Sequence, residues 1–316
     1  MGNKIVITGG AGFIGSNFVK LLLEDCDYDE ILIIDKLTYA GSLDNLDGAL
    51  DNERVRFFKG DIAEPDDVAR ALEDARHVVN FAAETHVDRS LAEASPFIRS
   101  NIMGVHALME KSREASIEKF VHISTDEVYG AFVEGSATEE SPLNPSSPYS
   151  ASKVAGDALC NAYRVSWGVP TVIVRPTNNY GPNQFPEKLI PFFVKRAMAG
   201  ETLPIYGEGD QVRDWLFVRD NCRAIKLVLD RGEVGEIYNI GADCHRKNID
   251  VARKMLEILD IPESRIEHVA DRPGHDFRYA VDSTKIRELG WRPQTSWDEG
   301  FRETVLHFKE KFGGQQ

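Results

Sequence analysis

Short apolar runs alternate with longer amphipathic stretches through the first half of the chain. Lys4–Thr8, Ile31–Ile34, Val55–Phe58, His77–Phe81, Phe120–Ile123 and Thr171–Arg175 are rich in branched side chains and read as buried strands. Between them, Ser16–Leu23 carries Phe18, Val19, Leu21, Leu22 and Leu23, and Asp66–Asp74 and a stretch from Tyr149 to Val165 also read as helices. Pro96–Ala115 places Ile98, Ile102, Val105, Leu108 and Met109 at helical spacing. That stripe packs against the core by default, and it is also apolar enough to pair with its twin across a two-fold axis. Strand and helix alternating at this spacing predict an α/β fold with a doubly wound parallel sheet. After Arg175 the rhythm breaks. Asn178–Gly200 reads as loop then helix and Leu203–Gln211 as turns. Trp215–Val218 and Glu236–Ile240 read as returning strands around a helix at Asn221–Leu229, and Asn248–Leu259 as a further helix. We therefore expect residues 1–177 to form the first domain, with 212–241 returning to it. Residues 178–211 and 242–316 should form a smaller interleaved α/β substrate domain, with the ligand cleft between.

The first strand runs into Gly9-Gly10-Ala11-Gly12-Phe13-Ile14-Gly15. Glycines at 9, 12 and 15 permit a tight turn and close approach of a pyrophosphate, and the following helix offers amides and a positive dipole. The second strand ends at Asp35, where a carboxylate accepts both ribose hydroxyls and repels a 2′-phosphate, favouring NAD over NADP, a preference Lys36 weakens. Asp61 and Ile62 close a later strand–helix loop where an adenine edge could be read, or where the Asp simply makes the turn. Phe81-Ala82-Ala83 ends in small residues against which a cofactor can lie.

Directly after the apolar run 120–123 stand Ser124, Thr125 and two neighbouring carboxyls, Asp126 and Glu127. Ligands bind beyond the carboxyl ends of parallel strands, although Ser124 or Thr125 could equally be a helix cap facing acidic residues to the dipole. After a loop rich in Ser and Pro, Tyr149 and Lys153 sit four residues apart on a predicted helix, about 6 Å apart in rise on one face. A phenol is a poor base at neutral pH; a nearby ammonium and a cationic nicotinamide pull its pKa down.

Composition adds boundaries. With 316 residues, 42% hydrophobic and 28% charged, the chain is of ordinary globular type. Its formal charge of −14 disfavours nucleic acid and anionic membranes, so an anionic ligand needs particular arginines. Cys26, Cys160, Cys222 and Cys244 stand far apart with no Cys-x-x-Cys pair, which suits reduced thiols rather than disulfides or zinc; no metal is expected. The chain opens straight into a strand with no signal peptide and no long apolar span, from which a cytoplasmic location is expected.

The glycine spacing, Thr125 and Tyr149-x-x-x-Lys153 resemble the extended short-chain dehydrogenase/reductases with their Rossmann fold. More narrowly, 35–41, His86-Val87-Asp88-Arg89-Ser90, 124–130, Asn178-Asn179-Tyr180-Gly181-Pro182, Glu187–Pro191, Arg213-Asp214-Trp215 and 272–276 resemble the dTDP-glucose 4,6-dehydratase family. Thr85 stands where many members have Ser, and the 131–148 loop is of the short form. The resemblance implies that Phe13, Ile14, Lys36, Thr38, Thr85, Ser100, Asn179, Tyr149 and Lys153 join the glycines on the NAD. It places Thr85, His86, Thr125, Asn178, Glu187, Lys188, Leu189, Pro204, Tyr206, Arg213, Asn248, Arg272, His275 and Tyr279 on the sugar nucleotide, with Arg213 and Arg272 for its diphosphate. It further implies that Tyr149, helped by Lys153 and Thr125, takes the C4 hydroxyl proton, that Glu127 takes the C5 proton, and that protonated Asp126 gives its proton to the departing C6 hydroxyl. A homodimer through helices near 97–115 and 149–165 is the expected assembly. Three rivals stay open: a UDP-hexose 4-epimerase, a UDP-glucuronate decarboxylase and a catalytically dead cofactor-binding protein. Epimerases tend to carry small residues where Asp126 and Glu127 stand; decarboxylases typically have Ser in place of the Asp.

Overall fold

The apolar runs become strands because both faces of the sheet they form are covered. The computed structural model describes residues 3–25, 28–115, 117–132, 134–271 and 277–314. Its first half runs β1 (Lys4–Thr8), α1 (Phe13–Asp25), β2 (Glu30–Asp35), β3 (Val55–Lys59), α2 (Pro65–Leu72), β4 (His77–Asn80), α3 (Val87–Ala92), α4 (Ser95–Phe97), α5 (Gly104–Glu114), β5 (Lys119–Ile123), α6 (Pro148–Trp167) and β6 (Thr171–Pro176). Alternation within a strand sends side chains to opposite faces. Ile5, Ile7, Ile31 and Ile33 join a core under α1, whereas Val6, Leu32, Ile34 and Val78 join another with Val105, Leu108 and Cys160.

The second half adds β7 (Asn178–Tyr180), α7 (Leu189–Met198), β8 (Leu203–Tyr206), β9 (Val212–Phe217), α8 (Val218–Arg231), β10 (Ile237–Ile240), β11 (His245–Lys247), α9 (Asn248–Leu259), β12 (Ile266–Val269), α10 (Thr284–Glu288) and α11 (Trp297–Gly313). The large sheet has seven strands in the order β10-β6-β5-β4-β1-β2-β3, every pair parallel. Strand order reverses between β1 and β4, the switch point where such sheets open a crevice. Two small sheets, β11-β9-β7 and β12-β8, surround a separate aromatic-rich core with Tyr180, Phe193, Trp215, Phe217, Phe301 and Phe308.

Several expectations are corrected. The first helix begins at Phe13 rather than Ser16, so Gly15 lies inside its first turn. The single helix expected over 96–115 is interrupted by a π segment, Ile98–Met103. There Asn101 turns inward, accepting from the Glu84 amide (2.9 Å) and donating to the Glu84 carbonyl (3.0 Å) and Ser152 Oγ (2.8 Å). Val105, Leu108 and Met109 are buried, but the extra residue in the turn rotates Ile98 out to 50% exposure. A helix, α3, stands in the 86–90 stretch. Leu203–Tyr206 is a strand rather than turns, because it finds a partner in Ile266–Val269. Within 212–241, β10 joins the large sheet beside β6, whereas β9 pairs with β7 and β11 in a small one.

A buried charge line fastens α6 to the sheet. Arg175 on β6 donates to Asp157 Oδ2 from Nε (3.0 Å), with Nη2 at 2.9 Å, and to the Tyr129 hydroxyl at 2.8 Å. Tyr129 donates in turn to Asn239 Oδ1 on β10 at 2.8 Å. Removing one member leaves an uncompensated buried charge, so Arg175→Met should cost about 3–5 kcal/mol in urea unfolding at neutral pH.

Candidate active site

At the end of β1 the chain turns at Gly9 with φ +65°, where a Cβ would sit 2.6 Å from the Ala82 nitrogen. A Cβ on Gly15 would lie 2.4 Å from the Gly9 carbonyl oxygen. Neither position tolerates a side chain, and the start of α1 is left bare to the crevice. Asp35 ends β2 and accepts from the Leu37 (2.8 Å) and Ala11 (3.0 Å) amides. Burial raises its pKa, and those two amides and Lys36 oppose the rise. Lys36 itself turns to Asp61 Oδ2 (3.6 Å) and Ser100 Oγ (3.4 Å). Burial pushes Asp61 up, but the Ala63 amide, Lys36 and Arg99 together hold it below its ordinary value.

An open cleft runs from this loop across the carboxyl edge of the sheet. Gly9, Gly12, Phe13, Ile14, Gly15, Asp35, Lys36, Thr38, Asp61, Ile62, Phe81, Ala82, Ala83, Thr85, Ser100 and Asn179 all line it. Thr125, Asp126, Glu127, Tyr149 and Lys153 stand at its far end, where Asn178, Glu187 and Lys188 also reach it.

That far end is built from two helix starts. Ser147 caps α6 in a reciprocal capping box with Ser150, and Pro148 sets the first turn, which fixes Tyr149 at the cleft. Lys153, one turn on, is buried and donates to the Ile123 carbonyl at 2.6 Å. Thr125 caps a 3₁₀ turn, Asp126–Tyr129. Its hydroxyl oxygen accepts from the Glu127 amide (3.3 Å), its proton goes to Asp126 Oδ1 (3.2 Å), and it shares a side-chain hydrogen bond with the Tyr149 phenol. The cap reading and the active-site reading of this triplet are therefore both true of the same residues.

Burial, then the neighbouring Glu127, pushes the Asp126 carboxyl up to about 8. The expected lowering of the Tyr149 pKa is not found in the protein alone. Burial, Glu127 and Asp126 drive the phenol well above its usual value, and the Thr125 hydrogen bond opposes them. Asp157 adds to the rise, and the Lys153 ammonium is turned to the Ile123 carbonyl. Burial takes Lys153 down to about 8, while Asp157, one further turn along α6, favours its charged form.

The other residues assigned to the substrate are more scattered. Glu187 accepts from Arg89 Nε at 2.9 Å, and Lys188 donates to the Thr85 carbonyl at 3.0 Å. His86 caps α3, accepting from the Arg89 amide at 3.3 Å. Arg213 is buried over the Tyr279 ring, 4.8 Å from its centroid, and its charge lowers the Asp126 pKa. Leu189, Pro204, Tyr206 and Asn248 do not line this cleft: Leu189 packs on the aromatic-rich core, Pro204 and Tyr206 lie in β8 paired with β12, and Asn248 opens α9. Arg272 and His275 lie outside the described residues. Sequence reasoning missed Glu84, Ser124, Thr177, Gln184 and Phe185, which also line the cleft, and the supporting Asn101, His122, Asp157 and Arg175. Asp157 carried a usable signal, four residues beyond Lys153; the others are brought in by tertiary structure.

A family model described as GDP-mannose 4,6 dehydratase matches residues 6–304. The chain belongs to that family, within the extended short-chain dehydrogenase/reductases. Among family relatives, the low-salt glycan biosynthesis protein Agl12 of Haloferax volcanii is 49% identical over 304 residues, 96% of this chain and 98% of that protein. A dTDP-glucose 4,6-dehydratase of Streptomyces niveus is 46% identical over 97% of this chain and 93% of its own length. The crystal structure of a double mutant of DesIV, a dTDP-glucose 4,6-dehydratase of Streptomyces venezuelae with NAD and DAU bound, superposes with a TM-score of 0.96 at 46% identity, covering 98% of both chains.

For this member of the family, the raised Asp126 pKa makes a stability prediction. The folded chain keeps a proton, up to about pH 8, that the unfolded carboxyl releases near the ordinary aspartate value of 3.8. Stability therefore falls as pH rises through that window. Asp126→Asn should abolish this loss, melting higher than the parent at pH 8, with the gap closing toward pH 4 in thermal scans.

Proposed function

We propose that this protein is a dTDP-glucose 4,6-dehydratase working with NAD, yielding dTDP-4-keto-6-deoxyglucose and water. The observation that carries the reading is a pair of adjacent carboxyls in unlike surroundings beside Tyr149. Asp126 is buried with its pKa pushed up to about 8, and Glu127 is half-buried at the cleft. One neighbour held neutral and one at the cleft wall is the arrangement an acid and a base need.

The residues fit the cofactor. The Gly9 and Gly15 cradle would be filled by any Cβ, and Asp35 stands at the end of β2 where a ribose falls. When bound, NAD supplies an acceptor for the C4 hydride and returns that hydride to C6. Tyr149 takes the C4 hydroxyl proton at its Oη. The new ketone acidifies C5–H, and Glu127 removes that proton. Asp126 protonates the departing C6 hydroxyl, and Glu127 hands its proton back to C5. A 4-epimerase has no use for an acid and a base at C6 and C5, and burying Asp126 would then cost stability without return.

Arg213, stacked on Tyr279, is assigned to the substrate diphosphate, with Thr85, Asn178, Glu187 and Lys188 along the sugar. The substrate half is proposed as 178–211 with 242–316, and the NAD half as 1–177 with the β10 region. A homodimer is proposed through α6 and the helices before it, supported by Leu91, Ile98, Met103, Val165 and Trp167, all at least 50% exposed on neighbouring helices. Cys160, Cys222 and Cys244 are unpaired, which fits the cytoplasm, and no described helix is long and apolar enough to cross a membrane.

Incubation with dTDP-glucose and UDP-glucose separately, followed by NMR, tests the reading: a 4-keto-6-deoxy sugar supports it and a C4 epimer replaces it. In Glu127→Gln, C4 oxidation should persist as reduced-cofactor absorbance, while dehydration falls by about 10²–10⁴. Full turnover in that variant would remove Glu127 from its role.

A further inference from the structure

The reaction of the dehydratase reading, on which this inference rests, is redox-neutral. Hydride taken from C4 is given back at C6 of the same sugar, so a cofactor lost midway would strand the reaction. The Gly9 and Gly15 cradle and Asp35 make a floor for it, and a floor alone does not keep a ligand in. A cover is supplied by residues 182–188, which join β7 to α7 and come from the other half of the chain. Gln184, Phe185, Glu187 and Lys188 line the same cleft as the glycines. Near the glycines, Asn17 Nδ2 on α1 donates to the Pro182 carbonyl at 3.0 Å. Asn183 Nδ2 donates to Ser16 Oγ (3.1 Å) and to the Asn45 carbonyl (3.2 Å). Asn45 in turn donates to the Ala11 carbonyl, inside the glycine loop, at 2.9 Å.

Toward the far end, four side chains form a circuit that starts and finishes on this segment. The Phe185 ring meets the Tyr39 ring edge-on at 5.3 Å, the Arg89 guanidinium lies 3.9 Å over Tyr39, and Arg89 Nε donates to Glu187 Oε2 at 2.9 Å. Lys188 Nζ adds a bond to the Thr85 carbonyl at 3.0 Å. Tyr39 follows β2 and Arg89 follows β4, and those strands flank β1 on either side. Contact between the two therefore bridges the switch-point crevice into which the glycine turn opens. We propose that residues 182–188 are a strap that locks NAD in the crevice, with Asn183 its inner pin and Arg89 its outer one, so that one cofactor molecule serves successive turnovers. Each tie alone is weak: the Arg89 side chain is 50% exposed, and an ion pair so open to water contributes little. The ties hold one short segment at both ends, so a dinucleotide passes only when they open together. Whatever must break for exit must also break for entry. The strap thus sets the rate of exchange in both directions more than the affinity.

The test is cofactor exchange in the full chain loaded with radiolabelled NAD and chased with unlabelled NAD. The variants are Arg89→Ala and Asn183→Gly; glycine keeps the φ of +70° found at 183 while removing the amide. Glu187 is left intact because it is assigned to the sugar. Arg219→Ala, which breaks an exposed pair with Glu303 (2.7 Å) between α8 and α11, is the control. If the strap operates, each strap variant releases label about tenfold faster than wild type, while its Kd from equilibrium dialysis rises by less than about threefold. Arg219→Ala then matches wild type. In steady turnover with dTDP-glucose the strap variants lose rate unless NAD is added, and wild type does not. Should Arg89→Ala fail to fold, Arg89→Lys, which keeps the charge without the planar stack, releases label at an intermediate rate. Release at the wild-type rate from both strap variants would overturn the lock. So would faster release matched by an equal rise in Kd, the mark of a lost contact with NAD itself. A wild type that keeps its label but makes no 4-keto-6-deoxy sugar removes the dehydratase reading alone, and the release rates still decide the strap.

Discussion

The site depends on keeping an ammonium charged in a dry interior. Lys153 is fully enclosed, and burial pulls it down to about 8. Its carbonyl partner, Ile123, is a dipole and not a charge. The compensating anion is Asp157, one turn along α6, and Asp157 has its own burial to offset. It does so against Arg175, whose two contacts at 2.9 and 3.0 Å fall on a single oxygen. His122, 3.7 Å from the other oxygen, is held well below its ordinary pKa by burial, Lys153 and Arg175, and stays neutral. Two cations and one anion, tied to β5, β6 and α6, thus sit beneath Tyr149. Of the three, Asp157 adds to the rise of the Tyr149 phenol.

On the opposite side of Tyr149 the charges are negative, and that tension shapes the site. Glu127 and Asp126 raise the phenol, while Glu127 and Asp214 raise Asp126. Three acidic groups within one capping turn and one helix start cannot all ionise in a place this dry. The outcome is a site that holds protons tightly until a positive charge is added near Tyr149. Reactivity is conditional on a ligand because the protein alone is built to be unreactive.

The parts of this arrangement legible in the sequence are the local ones. Gly9 and Gly15, Asp35 at a strand end, and the Tyr149–Lys153 spacing each follow from a few neighbouring residues, and each lies at the cleft. The π segment at Ile98–Met103 was hidden because its cause is Asn101 bonding to Glu84 and Ser152, 17 and 51 residues away. Leu203–Tyr206 looked like turns because its partner strand is 60 residues on, and β9 looked like a return to the large sheet because register with β7 and β11 is a tertiary fact. The Tyr149 pKa was misjudged for the same reason. The helical spacing shows Lys153, but the carboxyls that outweigh it arrive from a turn more than twenty residues earlier.

Adjacent residues of like chemistry can be given opposite tasks only if the backbone separates their surroundings. The 3₁₀ turn at Asp126–Tyr129 does this, since successive side chains leave it about 120° apart. Asp126 is turned inward to 4% exposure, and Glu127 stands at the cleft wall. An apolar residue at 126 would pack at less cost, and a second exposed carboxylate would carry no proton at neutral pH. Only a carboxyl that is buried keeps a proton there, and the Thr125 hydroxyl that donates to it opposes the burial. Thr125 is therefore the residue on which the turn, the cap and the acid all converge.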